Sequence, residues 1–552
     1  LETVLVIGAF DPAPHTGGDN AIYVSLAHAL LTTGSYVELF DPAQAPHTKY
    51  PPVFPAVLAL LMAFGARTWV ALKSVAVLST IAAVAFTYLW AARRLGPWTA
   101  SAVAALVGVS SAVVYYSHWV LSDPLFLALT MAGLWALDVE GGAGRTDASA
   151  GRSRAWWLAL GIAAAGLAYF TRSAGLPLVA ALLGWLALGR RWRALALGAV
   201  ALGGPALWWW ARARGASGSY AAEFWLVDPY QPALGRIEPW ALVPRALTNL
   251  RDYASVHVPA GIVGSRGAWV SALGVALTLA ALYGWARAVR TRFGIAELFF
   301  PLYSGLIFLW PVVWSGDRFA LPLYPLLFLY AALAWRTLVS RLPRAARGAA
   351  TAVILLALLG PATASWLRAS AQARACMRIV VAEGAWACYG PRVEAFVAAA
   401  RWARAGLPEG ASVLTRKPGI FYVESGVPSR TFPLVPDPEA HLGLADSLGA
   451  RYTLLDEWDG LAAAYVGSAV RRRPGAFCFV RSFGEPGAGG AQLLGILPPL
   501  QRELGGASGE GRVRIEACPP EYAAPGSSGA QATSSSASSS STAIPLLEGL
   551  DP

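Results

Sequence analysis

Charge is scarce in this chain. Only 14% of its 552 residues are Asp, Glu, Lys or Arg, where an average soluble domain has about a quarter; 56% are hydrophobic and the mean hydropathy is +0.49. That balance excludes an ordinary water-soluble globule. The sequence also lacks a CxxC pair of the metal-binding kind and any internal repeat of solenoid length. Residue 1 is Leu rather than Met, so the sequence reads as a fragment that has lost its first membrane helix or most of it. Basic residues are in excess, 43 Lys and Arg against 32 Asp and Glu, and the formal net charge of +11 raises the question of nucleic acid. The placement of the arginines answers it in favour of a bilayer, with no nucleic-acid partner.

What the chain does contain is a series of apolar stretches near the roughly 20 residues needed to cross a bilayer core. The expected spans are 68–92, 98–116, 121–139, 156–171, 174–188, 194–210, 268–286, 296–314, 319–339 and 348–366. They predict a mainly α fold, a polytopic transmembrane helical bundle of about 10–11 spans with interfacial helices. Residues 1–10 are apolar but too few to span. Short loops on one side hold Arg93 and Arg94, then Arg145, Arg152 and Arg154, then Arg190, Arg191 and Arg193, then Arg287, Arg290 and Arg292, then Arg341, Arg344 and Arg347, which marks that side as cytoplasmic. The long segments 11–67 and 211–267, the turns near His118, Ser173 and Asp317, and everything after Trp366 face outward.

Beyond Trp366 the pattern changes to short strands alternating with amphipathic helices, which predicts a small extracytoplasmic α/β domain over 367–523 behind a membrane domain of 1–366. Strands are expected at 412–415, 451–455, 477–480 and 493–497, and helices at 392–405, 438–448 and 460–470. The Ser-rich stretch 524–552 lacks the apolar surface to fold and is expected to be disordered. All four cysteines, Cys376, Cys388, Cys478 and Cys518, fall on the outer side, where oxidation is available. They admit three disulfide connectivities, and free buried thiols are the alternative.

Ionisable residues recur at the outer ends of the helices. Asp19 follows Gly17 and Gly18 and opens a stretch with Ile22, Leu26, Ala29 and Leu30 at helical spacing; it reads either as a helix cap or as a functional carboxylate. Lys49 and Tyr50 precede Pro51 and Pro52, where a lysine reaches a lipid phosphate or merely snorkels. Asp123, in His118-Trp119-Val120-Leu121-Ser122-Asp123-Pro124, begins a span, and charge at that depth faces a cavity or a partner unless it caps the helix. Asp317 and Arg318 lie at another outer helix end, where Arg318 pairs with its neighbour or offers its fork to a phosphate. Arg172 is a further cation at that level.

Gly18-Asp19 before an interfacial helix, then Tyr50-Pro51-Pro52, Ser122-Asp123-Pro124 and Asp317-Arg318-Phe319 with its spaced prolines, in this order and on one side, resemble the GT-C membrane glycosyltransferases. The similarity is to the branch with protein O-mannosyltransferases, aminoarabinose transferases and related bacterial proteins, and covers roughly residues 1–339. It implies an inverting hexosyl or pentosyl transfer from a polyprenyl-phosphate sugar donor to a lipid, glycan or protein acceptor outside the plasma membrane. It implies Asp19 as general base with Asp123 as a second catalytic carboxylate. Lys49, Arg318 and Arg172 are the donor-phosphate candidates, and Tyr50, His118 and Asp317 the substrate-binding ones. Asn20 stands where many members carry a second acid, so no obligatory metal is expected, with a divalent ion between Asp19 and Asp123 left open. The competing readings are a transporter or flippase for a lipid-linked or amphipathic solute, and a noncatalytic receptor or assembly protein in which the spans anchor the C-terminal domain.

Overall fold

In the computed structural model the described residues are 1–142, 148–212, 214, 220–485, 487–504, 515–525 and 546. Among them, six helices are long and apolar enough to cross a membrane: Trp69–Leu95, Asp123–Gly142, Trp192–Arg212, Ala268–Thr291, Leu323–Arg341 and Arg344–Glu383. The protein is a multi-pass helical membrane protein. Residues such as Leu197, Val200, Leu207 and Leu356 turn large side chains outward, an arrangement suited to lipid rather than water.

Of the other four expected spans, three are helical but shorter or interrupted, and one belongs to a 24-residue helix. The 98–116 stretch divides into Pro97–Val109 and Ser111–Tyr116, because Ser110 leaves helical geometry at ψ 129° while its Oγ donates to the carbonyl of Leu106 at 2.6 Å. The 156–171 stretch is the end of Ala148–Thr171, and the remaining two are Ser173–Leu188 and Ile295–Leu309. The last expected span, 348–366, lies within the 40-residue helix Arg344–Glu383, which runs without interruption past Trp366 into the C-terminal region.

The bundle carries ion pairs at both ends. On Asp123–Gly142, Asp123 starts the helix and Asp138 and Glu140 finish it, so about 1.5 Å of rise per residue puts more than 20 Å between them. At the far end Arg94 holds Glu297 at 2.6 Å and Asp138 at 2.8 Å, and Arg191 holds Glu140 at 2.6 Å. Several of the short-loop arginines are thus paired with acids, which contribute little to the positive-inside rule.

The C-terminal region forms a five-stranded sheet of β1 (Val413–Leu414), β2 (Ser429–Arg430), β3 (Tyr452–Asp456), β4 (Phe477–Phe483) and β5 (Ala491–Ile496). The order is β2-β1-β3-β5-β4, with β1 parallel to β2 and β3, and β5 antiparallel to β3 and β4. The four expected strands are present within a few residues. The two-residue β2 was not expected, being too short to show an alternation. Cys376 pairs with Cys388 and Cys478 with Cys518, a choice that spacing alone left open. The expected disordered tail lies outside the described residues except for 524, 525 and 546.

A single apolar core joins the sheet to the first long loop. Phe54, Trp69 and Tyr23 pack with Trp386, Phe396 and Phe421, so the C-terminal region is seated directly on the segment that contains Asp19.

Candidate active site

Four segments meet at the head of the bundle. The first is the helix Asp19–Thr33, entered through Gly18 at φ +96°, a backbone conformation that a side chain disfavours. Gly18, not Asp19, occupies the cap position, and no side-chain cap bond is made there. The Asp19 carboxylate turns inward instead, accepting from Arg318 Nη1 at 2.7 Å and from the hydroxyl of Tyr50 at 3.1 Å. The capping explanation is therefore set aside.

Arg318 does not pair with its neighbour Asp317. Its Nε and Nη2 each lie 2.9 Å from Asp123 Oδ2, so one guanidinium bridges both carboxylates. The extended backbone at Ser315 and Gly316 directs it there, anchored where Ser315 donates to Asn249 at 2.7 Å and Tyr303 donates to the Phe319 carbonyl at 2.9 Å. Arg172 completes the group, with Nη1 at 2.7 Å from Asp123 Oδ1 and 3.2 Å from Ser122 Oγ. Tyr23 shares a 2.8 Å hydrogen bond with the same Ser122 hydroxyl and packs its ring against that of Tyr50.

The two carboxylates differ in access. The side chain of Asp123 is 4% exposed and that of Asp19 27%, so an incoming molecule meets Asp19 first. Burial favours the neutral form of Asp19, but the charge of Arg318 and the hydrogen bonds from Arg318 and Tyr50 outweigh it and hold the carboxyl below its ordinary range. Nearby His15 is pushed down to about 4, first by burial and then by Arg318, and is neutral at physiological pH.

Three other expected site residues lie at the margin or beyond it. Lys49 is ion-paired with Glu223 at 2.8 Å and faces the rings of Tyr220 and Trp314, each at 5.2 Å. Asp317 accepts from the Tyr116 hydroxyl at 3.2 Å. His118 is not in the cluster: it is buried against Trp119 and lines a separate cavity of about 290 Å³ with Asp11, Tyr115 and Ser365. Sequence reasoning missed Tyr23, His15, Glu223 and Ser122 as site groups. Ser122 had a usable signal in its adjacency to Asp123; Glu223 sits in a long loop whose path has no periodicity to read.

Asp19 and Asp123 present their oxygens to guanidinium groups, and among the described residues no group of three or more His, Cys, Asp or Glu gathers to hold a metal ion. This donor set suits an arginine fork better than a divalent ion, which takes about six oxygen ligands.

This architecture is a GT-C-type membrane fold. Solved structures that share it include an Archaeoglobus fulgidus oligosaccharyltransferase in complex with zinc and sulfate (TM-score 0.55, 14% identity, 89% of this chain and 72% of that one); the oligosaccharyltransferase AglB from the same organism with an inhibitory peptide and a dolichol-phosphate (0.54, 14%, 89% and 73%); and ArnT from Cupriavidus metallidurans bound to undecaprenyl phosphate (0.54, 13%, 90% and 97%). At these identities the likeness is one of fold. No family model and no curated protein sequence matches the chain.

Proposed function

We propose that this protein is an inverting glycosyltransferase that moves a sugar from a polyprenyl-phosphate donor to an acceptor on the extracytoplasmic face. The observation that carries the reading is the Arg318 bridge between Asp19 and Asp123 at the head of the bundle. Asp19, the more accessible carboxylate, takes the proton of the acceptor hydroxyl as that oxygen bonds to the anomeric carbon. The bond from that carbon to the donor phosphate breaks, and the electron pair leaves with the phosphate. Arg318 and Arg172 stabilise the charge that gathers there, because fixed guanidinium groups act strongly where water is sparse. Asp123 acts by positioning, since both arginines lean on it.

Structures of the same fold hold dolichol-phosphate and undecaprenyl phosphate, which supports a lipid phosphate as the ligand class. Two disulfides in the C-terminal region, which is seated on the Asp19 segment, support an oxidising, extracytoplasmic location for the site. The domain boundary after residue 366 is proposed as functional rather than helical, with the sheet roofing the site. A transporter would place its polar groups near the midplane. Here Lys73, fully buried near the start of Trp69–Leu95, is instead held by the carbonyls of Asp11 and Ala13.

The test is transfer from a polyprenyl-phosphate sugar by the full chain and by Asp19→Asn, with donor binding measured in parallel. Retained transfer by Asp19→Asn removes it as the base. If the wild type transfers no sugar from any donor of this class, the reading as a whole is wrong.

A further inference from the structure

The charges at the head of the bundle are paired, and one cation beside them makes no ion pair among the described residues. Asp19 and Asp123 meet Arg318 and Arg172, while Lys49 meets Glu223. Lys417 belongs to the C-terminal sheet. It follows β1 at its carboxyl end, and the chain passes from β1 to β2 on one side and then returns across to β3 on the other. That is the topological switch point of the parallel strands, the edge at which open α/β sheets bind ligands.

The sheet brings this residue to the membrane site by close packing. Lys417 immediately precedes the helix Pro418–Ser425, which lies against the helix Asp19–Thr33: a Cβ on Gly419 would stand 3.0 Å from Ile22 Cγ1 and 3.3 Å from the Ile22 nitrogen. On the other side of the contact, a Cβ on Gly18 would meet only Lys417 Cδ, at 3.9 Å. Gly419 thus lets its helix sit close on the Asp19–Thr33 helix, and the lysine stem passes at ordinary contact distance beside the residue that precedes Asp19.

Among the described residues no carboxylate lies within ion-pair distance of the Lys417 ammonium. Asp459 is taken by Arg416 at 2.9 Å, and buried Asp456 accepts from the backbone N–H of Trp458 at 2.9 Å. The ammonium lies 5.9 Å from the centre of the Trp458 ring. Burial, and then Arg416, lower its affinity for a proton, while Asp459, Asp19 and Asp456 act from beyond ion-pair distance in the opposite sense. A half-buried cation that makes no contact ion pair bears a desolvation cost that an arriving anion offsets.

We propose that Lys417 is a third cation of the site and binds a substrate phosphate. This rests on the lipid-phosphate reading above. Two sources share that chemistry, the polyprenyl-phosphate donor and a phosphorylated acceptor, and each has its own arm in the test.

The full chain in nanodiscs is titrated with undecaprenyl phosphate, with the neutral polyprenol, and with a water-soluble sugar phosphate. Lys417→Gln, Lys417→Arg, Arg318→Gln and, as a remote control, Arg473→Gln are compared after thermal unfolding has verified that each is folded. The expected result is that Lys417→Gln weakens undecaprenyl phosphate about tenfold, that Lys417→Arg restores most of it, and that the polyprenol is unaffected. The same loss confined to the sugar phosphate supports the proposal with the acceptor as source. Unchanged affinity for both phosphates in Lys417→Gln, where Arg318→Gln has weakened one, overturns it and leaves the lipid-phosphate reading intact. A wild type that binds polyprenol and its phosphate equally overturns that reading itself.

Discussion

Arg318 Nη1 stands 2.7 Å from Asp19 Oδ2, although 299 residues separate the two in sequence. The same guanidinium holds Asp123, so a group near the middle of the chain joins two segments that otherwise meet through the Tyr23–Ser122 hydrogen bond.

The two carboxylates are expected to fail differently. Asp19→Asn should lower transfer by about 10²–10⁴-fold, the usual worth of a general base, with thermal stability nearly unchanged because this side chain is partly solvated. Asp123→Ala leaves two arginines without their buried partner and should destabilise the fold by about 3 kcal/mol. Thermal unfolding beside a transfer assay separates the two; equal stability loss in both variants would contradict this division.

The acid limb of the pH–rate profile reports on Asp19. Its carboxyl is held below the ordinary range and a base must be deprotonated, so kcat/KM should not fall on its account until the pH is below about 4. Tyr50→Phe removes one of the hydrogen bonds that lower it, and should move the limb upward without abolishing activity. A limb near pH 6 that is insensitive to Tyr50→Phe would assign the base elsewhere.

Stability against pH should reveal Asp456. Burial raises its carboxyl from 3.8 to about 6, so the folded state binds a proton more tightly than the unfolded one. The resulting stabilisation is complete below the unfolded value and is lost as pH rises through about 6, amounting to roughly 3 kcal/mol by pH 7. Asp456→Asn keeps the acceptor for the Trp458 N–H and does not ionise. Its unfolding temperature should therefore gain on the wild type from pH 4 to pH 7, and parallel curves would refute the assignment.

Helix contact in the bundle depends on Gly284. A Cβ there would lie 1.9 Å from the carbonyl oxygen of Tyr330 and 2.7 Å from its carbon, both backbone atoms of the facing helix. Gly284→Ala must push Ala268–Thr291 away from Leu323–Leu338 and should sharply reduce the folded fraction recovered in detergent. Gly305→Ala, with open space around it, is the matched control.

The Cys478–Cys518 bond closes a separation of 40 residues and ties β4 to the segment after it. Replacing both cysteines with Ser should destabilise the C-terminal region by about 2–5 kcal/mol, read as a lower denaturant midpoint. Unchanged unfolding would show that packing of the sheet suffices.

Much of this arrangement was legible in residue patterns. Apolar length marked the helices from residue 69 to 366, and short-loop arginines indicated which loops share a side; these are local signals, because crossing a bilayer requires a continuous run of apolar residues. The strand positions followed from short apolar runs between turn residues. The break at Ser110 was not visible, because Thr80, Thr87 and Ser101 make the same bond back to the preceding turn without breaking their helices, so the residue type alone carries no signal.

Hydropathy alone establishes that this chain lives in a membrane and that its acids and bases gather at helix ends. It does not say which charge finds which. Asp19 as a cap, Arg318 as the partner of Asp317, Lys49 as a free cation and His118 as a site residue were all reasonable at the level of neighbours. Packing then turned Asp19 inward, carried Arg318 to Asp123, gave Lys49 to Glu223, and put His118 in another cavity. Helix periodicity is set by backbone hydrogen bonds over a few residues, whereas pairing of buried charges depends on how distant helices and a sheet seat against one another, and that is a property of the assembled chain.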